Sequence, residues 1–235
     1  GQVSTVELAR ISQYAENVYF GKPCGLMDQM ASAAGSILFI DFADSENIKL
    51  QPVKYDFAQK GYSVIITNVR SDHANLTDDY AAITKEMGAV AQHFGKKTLR
   101  EVNETSFYNS VYELYGKVPD RAILRAMHFF NENKRVEAAA EALTKNDLQT
   151  FFNAIISSGN SSWRLLQNLY STKCESQALP VALAVTENLL RGKGAWRVHG
   201  GGFGGTTLAF VPEDLEKVYI SQMNRIFGED AAIKL

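Results

Sequence analysis

Hydrophobic and polar residues alternate along this chain with two periods, and the switches between them lay out its elements. Ser4-Thr5-Val6-Glu7 is an S-x-x-E capping box, and Val6, Ala9, Tyr14 and Val18 can share one apolar face, so a helix is predicted from about Thr5 to Phe20, stopped by Gly21. After Lys22-Pro23-Cys24-Gly25, a second short helix carries Met27 to Ala34 and closes at Gly35. Two short strands, Ser36–Asp41 and Ile48–Pro52, flank the polar turn Ala43–Glu46, and β-branched, almost wholly apolar Tyr62–Asn68 is the strongest strand. A long helix follows from Thr77 or Asp78 to Phe94, with Tyr80 in its first turn and Gly95 at its end.

From Asn103 to Leu190 the pattern is helical throughout. Breaks are expected near Gly116–Asp120, Asn131–Lys134, Lys145-Asn146, Gly159-Asn160 and Ser171–Glu175. The chain then gives strand Ala195–Val198, a glycine-rich connection, strand Thr206–Val211, helix Glu213–Phe227 and strand Ala231–Leu235. Apart from the helical insertion, residues 61–235 spell β-α-β-β-α-β, the ferredoxin-like split βαβ order. The fold class is therefore α/β in the broad sense and α+β in detail, with helices on one face of a mainly antiparallel sheet.

The glycine-rich connection is where regular structure gives way to something else. Gly200, Gly201, Gly202, Gly204 and Gly205 fill five of six positions around Phe203, and each glycine costs about 0.5–1 kcal/mol relative to alanine inside a regular element. Gly200, Gly202 and Gly205 satisfy the G-x-G-x-x-G spacing, but that fingerprint needs a helix after the loop. Here Thr206 to Val211 read as a strand ending at Pro212, so the dinucleotide match is false. No G-x-x-x-x-G-K-[ST] occurs. Two readings remain: a backbone that offers N–H groups to an anion or packs against a nucleotide, and a hairpin with a loose turn.

Composition narrows the partners. With 235 residues, 46% hydrophobic and 21% charged, the chain can bury a sizeable core. A formal charge of −2 and the lack of long like-charge runs argue against a nucleic-acid surface. Two cysteines, Cys24 and Cys174, and four dispersed histidines supply neither a disulfide framework nor metal-ligand spacing. No apolar run approaches a membrane span and no leader pattern opens the sequence, so a cytoplasmic location without a membrane partner is expected. Oligomeric state is not readable.

Asp28 is the other residue with chemical potential. It sits in the first turn of the second helix among apolar neighbours, either as a dipole partner or cap contributing about 0.3–1 kcal/mol, or as a general base toward a substrate hydroxyl.

Taken together, Cys24-Gly25-Leu26-Met27-Asp28-Gln29 and Arg197-Val198-His199-Gly200-Gly201-Gly202-Phe203-Gly204-Gly205-Thr206 resemble the second half of the galactokinases. These belong to the GHMP kinase superfamily, which also phosphorylates homoserine, mevalonate and phosphomevalonate. Leu38–Asp41, Ile66-Thr67-Asn68, Tyr80 opening its helix and Leu99–Val102 are similar to the same family. The resemblance implies a sugar 1-kinase that moves the ATP γ-phosphate to the anomeric hydroxyl of galactose. Asp28 matches the catalytic aspartate, Gly25 a backbone contact to the sugar, Tyr80 a tyrosine contact to the sugar, and Gly200 to Gly205 the motif beside the nucleotide. It also implies two domains: the end of the N-terminal, aspartate-bearing kinase domain over 1–60 and the GHMP kinase C-terminal domain over 61–235.

The family's upstream sugar-holding motif and its P-x-x-x-G-L-(S/G)-S-S-A phosphate loop do not occur in these residues. Ligands for the Mg²⁺ that accompanies ATP are expected mainly from that part, none is assignable here, and the 235 residues alone are expected to be inactive. The family's usual arginine before His73 falls on Asp72, and Ser157–Ser176 lacks the family's histidine-containing segment. Both leave the sugar open. An N-acetylhexosamine or pentose kinase, a non-catalytic galactose- and ATP-binding regulator, and a helical scaffold built on residues 103–190 are the alternatives.

Overall fold

The computed structural model describes residues 3–21, 24–44, 46–71, 76–171, 173 and 175–235. Asp72, His73 and Cys174 lie outside them, as does part of the Ser171–Glu175 break. The chain forms two compact units, residues 1–55 with 140–147, and residues 56–139 with 148–235.

In the first unit, α1 (Thr5–Tyr14) opens on the predicted capping box: Ser4 Oγ accepts from the Glu7 N–H at 3.2 Å, and the Glu7 carboxylate accepts from the Ser4 N–H at 2.9 Å. The helix continues to Tyr19 as a π-turn, Ala15–Tyr19. It packs on α2 (Met27–Ala34), which ends at Gly35 with φ +65°. Strands β1 (Ile37–Asp41) and β2 (Lys49–Val53) pair antiparallel, Ile37 opposite Val53 and Asp41 opposite Lys49.

The second unit is built on a four-stranded antiparallel sheet. It contains β3 (Tyr62–Asn68), α3 (Thr77–His93), α4 (Glu104–Asn109), α5 (Val111–Leu114), most of α6 (Asp120–Thr144), α7 (Leu148–Ser161), α8 (Ala178–Leu190), β4 (Ala195–His199), β5 (Thr206–Pro212), α9 (Glu216–Phe227) and β6 (Ala232–Lys234). Strand order is β4-β5-β3-β6. The two crossovers interleave: the helical stretch carries the chain from β3 past β5 to β4, and α9 carries it from β5 past β3 to β6. This is the split βαβ arrangement the sequence predicts.

Side-chain alternation sorts the sheet's two faces. Ala209 and Val211 of β5, with Ile65, Trp196 and Val198, meet Leu179 and Leu183 of α8 and Tyr219 and Met223 of α9 in one buried core. Phe210, between Ala209 and Val211, belongs to the opposite face, where Phe57, Phe151 and Phe152 gather with ring centroids 4.8, 5.3 and 5.7 Å from it. Helices thus do not all lie on one face, because α7 brings Phe151 and Phe152 to the other. A second core joins α3 to α6 through Val90, Ala91, Leu99, Phe107, Leu114, Ile123, Ala126 and Phe130.

Two of the predicted helix breaks are not there. α6 runs unbroken through Asn131–Lys134, since Asn131 bonds Tyr108 Oη at 3.3 Å and Glu132 is fixed by ion pairs; tertiary contacts outweigh weak local propensity. Gly159 lies inside α7 because that helix approaches β4 so closely. A Cβ there would stand 3.1 Å from Arg197 Cβ and 3.2 Å from the Trp196 carbonyl oxygen. α7 then ends in a π-turn, Ser162–Leu166, closed by Gln167 at φ +57°.

Candidate active site

Each unit holds its own group of candidate residues. In the first, the segment before α2 is tied down by the helix that precedes it. Asn17, in the π-turn, accepts from the Cys24 N–H at 2.8 Å, and Gln13 Nε2 donates to the Cys24 carbonyl at 3.1 Å. Gln29 Nε2 reaches Cys24 Sγ at 3.4 Å. A π-turn inserts one residue into helical register, and such turns recur at functional sites. Here it aims Asn17 at the loop.

Gly25 is exposed, with open space where a Cβ would be. Asp28 is the second residue of α2 and is exposed; the N-cap is Leu26 and makes no side-chain cap bond. Asp28 is therefore not the helix cap. Its carboxylate accepts no hydrogen bond among the described residues.

In the second unit Tyr80 and the glycine loop form one assembly. Tyr80 Oη donates to the Gly202 carbonyl at 2.7 Å, and its ring stands edge-on to Phe203, centroids 5.2 Å apart at 84°. A Cβ on Gly201 would lie 2.7 Å from Tyr80 Cε1. Burial raises the Tyr80 phenol above its usual value, so it remains a donor at neutral pH. At β5's start, the Val69 N–H bonds the Gly205 carbonyl at 2.9 Å.

Asn168 holds the loop from the other side, a residue that sequence reasoning missed. Its backbone carbonyl accepts the Phe203 N–H, and its Nδ2 donates to the Gly201 carbonyl at 3.0 Å. Gly202 has φ +80°, and a Cβ on it would stand 2.0 Å from the Asn168 carbonyl oxygen. Phe203 also takes a positive φ, +59°, uncommon outside glycine and a sign of a backbone held by its surroundings. Gly200 and Gly201 stay exposed at the tip. Nothing about an asparagine between Gln167 and Leu169 signals this role in the sequence.

The clamp is fixed in turn by buried charges. Arg125, 1% exposed, donates from Nε to the Leu166 carbonyl at 3.0 Å and from Nη1 to Glu86 Oε2 at 3.0 Å. Arg121 meets the same carboxylate at 2.6 Å. Burial lowers Arg125 from its usual value, opposed mainly by Glu86. Glu86 and Tyr80 share α3, so a ring of contacts runs from Glu86 through Arg125 and Leu166 to Asn168, across the loop, and back through Tyr80. Ser171 Oγ also donates to Asp79 Oδ2 at 2.8 Å, and Lys173 pairs with Asp78 at 2.9 Å. His199 ends β4 beside the loop and is exposed. Among the described residues, no three His, Cys, Asp or Glu side chains cluster to hold a metal ion, and no helix is long and apolar enough to cross a membrane.

No family model matches the chain. In structure it is similar to Lactococcus lactis galactokinase, solved in complex with galactose: TM-score 0.77, 22% identity, covering 100% of this chain and 59% of that one. Streptococcus pneumoniae phosphomevalonate kinase, solved with phosphomevalonate and AMPPNP, superposes at TM-score 0.60 and 10% identity, covering 100% of this chain and 62% of that one. The fold is that of the GHMP kinases. In sequence, a curated galactokinase of Glaesserella parasuis serovar 5 is 32% identical over 212 residues, 90% of this chain and 53% of that protein. The chain belongs to the galactokinase family, and it spans about half the length of the curated relatives it matches.

Proposed function

We propose that this chain is the C-terminal part of an ATP-dependent sugar 1-kinase whose sugar is galactose, with 1–60 closing the N-terminal kinase domain and 61–235 forming the C-terminal domain. Asp28 accepts the hydrogen bond, and in the reaction the proton, of the anomeric hydroxyl. Gly25 and Tyr80 contact the sugar, and Gly200, Gly201, Gly202, Gly204 and Gly205 line the nucleotide. Its location is the cytoplasm.

The observation that carries the reading is the bond from Tyr80 Oη to the Gly202 carbonyl. It joins the residue assigned to the sugar and the loop assigned to the nucleotide into one unit. Phosphoryl transfer is catalysed mainly by positioning and by charge stabilisation, through a loose transition state that needs little deprotonation before attack. An exposed carboxylate with no hydrogen-bond partner among the described residues suits Asp28 to that task. The glycine loop's positive-φ backbone and exposed tip suit close approach by a phosphate-bearing ligand. The described residues do not fit a Mg²⁺ cage; the ion enters this reading only as the companion of ATP.

The test is ADP release by the uninterrupted gene product that contains this sequence, offered galactose, N-acetylgalactosamine, glucose and arabinose. Galactose is expected to stimulate most, and Asp28→Asn to abolish turnover while ATP affinity is kept. Stronger turnover with another sugar would reassign the substrate. Binding of both galactose and ATP with no turnover would replace the kinase with a sensor. Spanning about half of its relatives' length, the 235-residue chain by itself is expected to release no ADP.

A further inference from the structure

Away from these residues, α6, α7 and the π-turn after it line an open, solvent-facing cavity of about 370 Å³. Its polar lining is Arg135, Asn153, Ser157, Asn160, Ser161 and Arg164, and no carboxylate is among its lining residues. The α7 positions recur at helical spacing, so one face of that helix turns amide and hydroxyl groups toward the α6 arginine.

The charge beneath this cavity does not balance. Glu132 is the acceptor for two part-buried arginines: Arg135 Nε donates to its Oε2 at 2.8 Å and Arg197 Nη1 to its Oε1 at 3.4 Å, while Ser158 Oγ also donates to Oε1. The Arg135 and Arg197 side chains are 17% and 27% exposed. Arg135 Nη2 lies 2.7 Å from Glu132 Oε2 yet is buried without a hydrogen bond of its own. His128, bonded to Ser161 through Nδ1 at 2.9 Å, faces the same group and adds no negative charge. Arg164, exposed at the rim, has no ion-pair partner among the described residues. Two guanidinium groups thus share one carboxylate, and a third, that of Arg164, stands at the same cavity without a carboxylate among the described residues. Two part-buried guanidinium groups on one carboxylate leave a positive charge only partly compensated, and a diffusible anion seated among these donors would offset that cost. Arginine's planar fork matches phosphate and carboxylate oxygens.

We propose that this cavity binds a small oxyanion carrying two or more negative charges, held by Arg135 and Arg164 with Asn160 and Ser157 completing its hydrogen bonds. The site is separate from the glycine loop and does not depend on the kinase reading.

The test uses the uninterrupted gene product that contains this sequence. Binding of pyrophosphate and of citrate is measured by calorimetry, and crystals are soaked in tungstate, a phosphate-shaped ion located by its anomalous scattering. Expected are a tungstate peak between Arg135 and Arg164 and saturable binding that weakens at least tenfold in Arg164→Gln. No change is expected in Arg191→Gln, whose arginine is exposed elsewhere and pairs with Glu187. The tighter of the two probes tells a phosphorylated ligand from a polycarboxylate. A peak only at the glycine loop, non-saturable binding, or equal weakening in both variants would overturn the proposal. Loss of turnover in the kinase assay would leave it standing.

Discussion

Replacing Gly202 with alanine tests whether the glycine loop is shaped by Asn168 or simply tolerates its glycines. Two costs apply. At φ +80° an L-residue pays about 1–2 kcal/mol for the left-handed conformation. The new Cβ would also stand 2.0 Å from the Asn168 carbonyl oxygen and 2.6 Å from Nδ2, so Asn168 must withdraw. That breaks its bonds to the Phe203 N–H and the Gly201 carbonyl, each contributing about 0.5–1.5 kcal/mol. Together the loss is about 2–5 kcal/mol. Gly200 is the internal control: its φ is +72°, but nothing lies within 4 Å of its Cβ position, so alanine there costs only the conformational term, about 1–2 kcal/mol. Urea unfolding of the two variants beside the parent chain measures the difference as a shift in midpoint at constant slope. Nucleotide affinity, read in the uninterrupted gene product, is expected to fall more in Gly202→Ala than in Gly200→Ala. Equal destabilisation by both substitutions, or a Gly202→Ala midpoint within error of the parent, would falsify the clamp.

Two further outcomes follow from buried charge. Glu86→Ala leaves Arg125, 1% exposed, without its carboxylate and is expected to destabilise by about 3–5 kcal/mol in urea, with Arg125→Met added to it restoring much of the loss; additive losses from the two changes would argue against a pair. Burial, opposed by Glu132 and aided by Arg135 and Arg197, holds His128 at about 4 against its usual 6.5. Its folded form is therefore neutral, and stability present above pH 6.5 is lost as pH falls toward 4, by about 3 kcal/mol for this group. His128→Asn should flatten the stability profile across that window, and an unchanged slope would show that His128 is free to charge in the fold.

Local chemistry made much of the architecture legible in the residues. The capping box of α1, the left-handed glycine after α2, the β-branched run of β3 and the turn residues between β4 and β5 act within a few positions of one another. The order of elements alone therefore gives the split βαβ fold. Rejecting the dinucleotide fingerprint needed only the observation that Thr206–Val211 is a strand. Asn131–Lys134 and Gly159-Asn160 misled because their weak helix propensity is overridden by the Glu132 ion pairs and by the close approach of α7 to β4, contacts no local window contains.

What only the tertiary structure decided is which side chains share a surface. Tyr80 and Gly202 are 122 positions apart and Asn168 and Gly201 are 33 apart, yet these bonds set the loop's shape. Likewise Arg135 of α6 and Arg197 of β4 converge on Glu132, and Arg164 of a π-turn joins Arg135 at one cavity. A sequence records the propensity of each segment, which is a property of neighbours along the chain. The burial of a guanidinium or the room left for a methyl group depends on elements that meet only after folding.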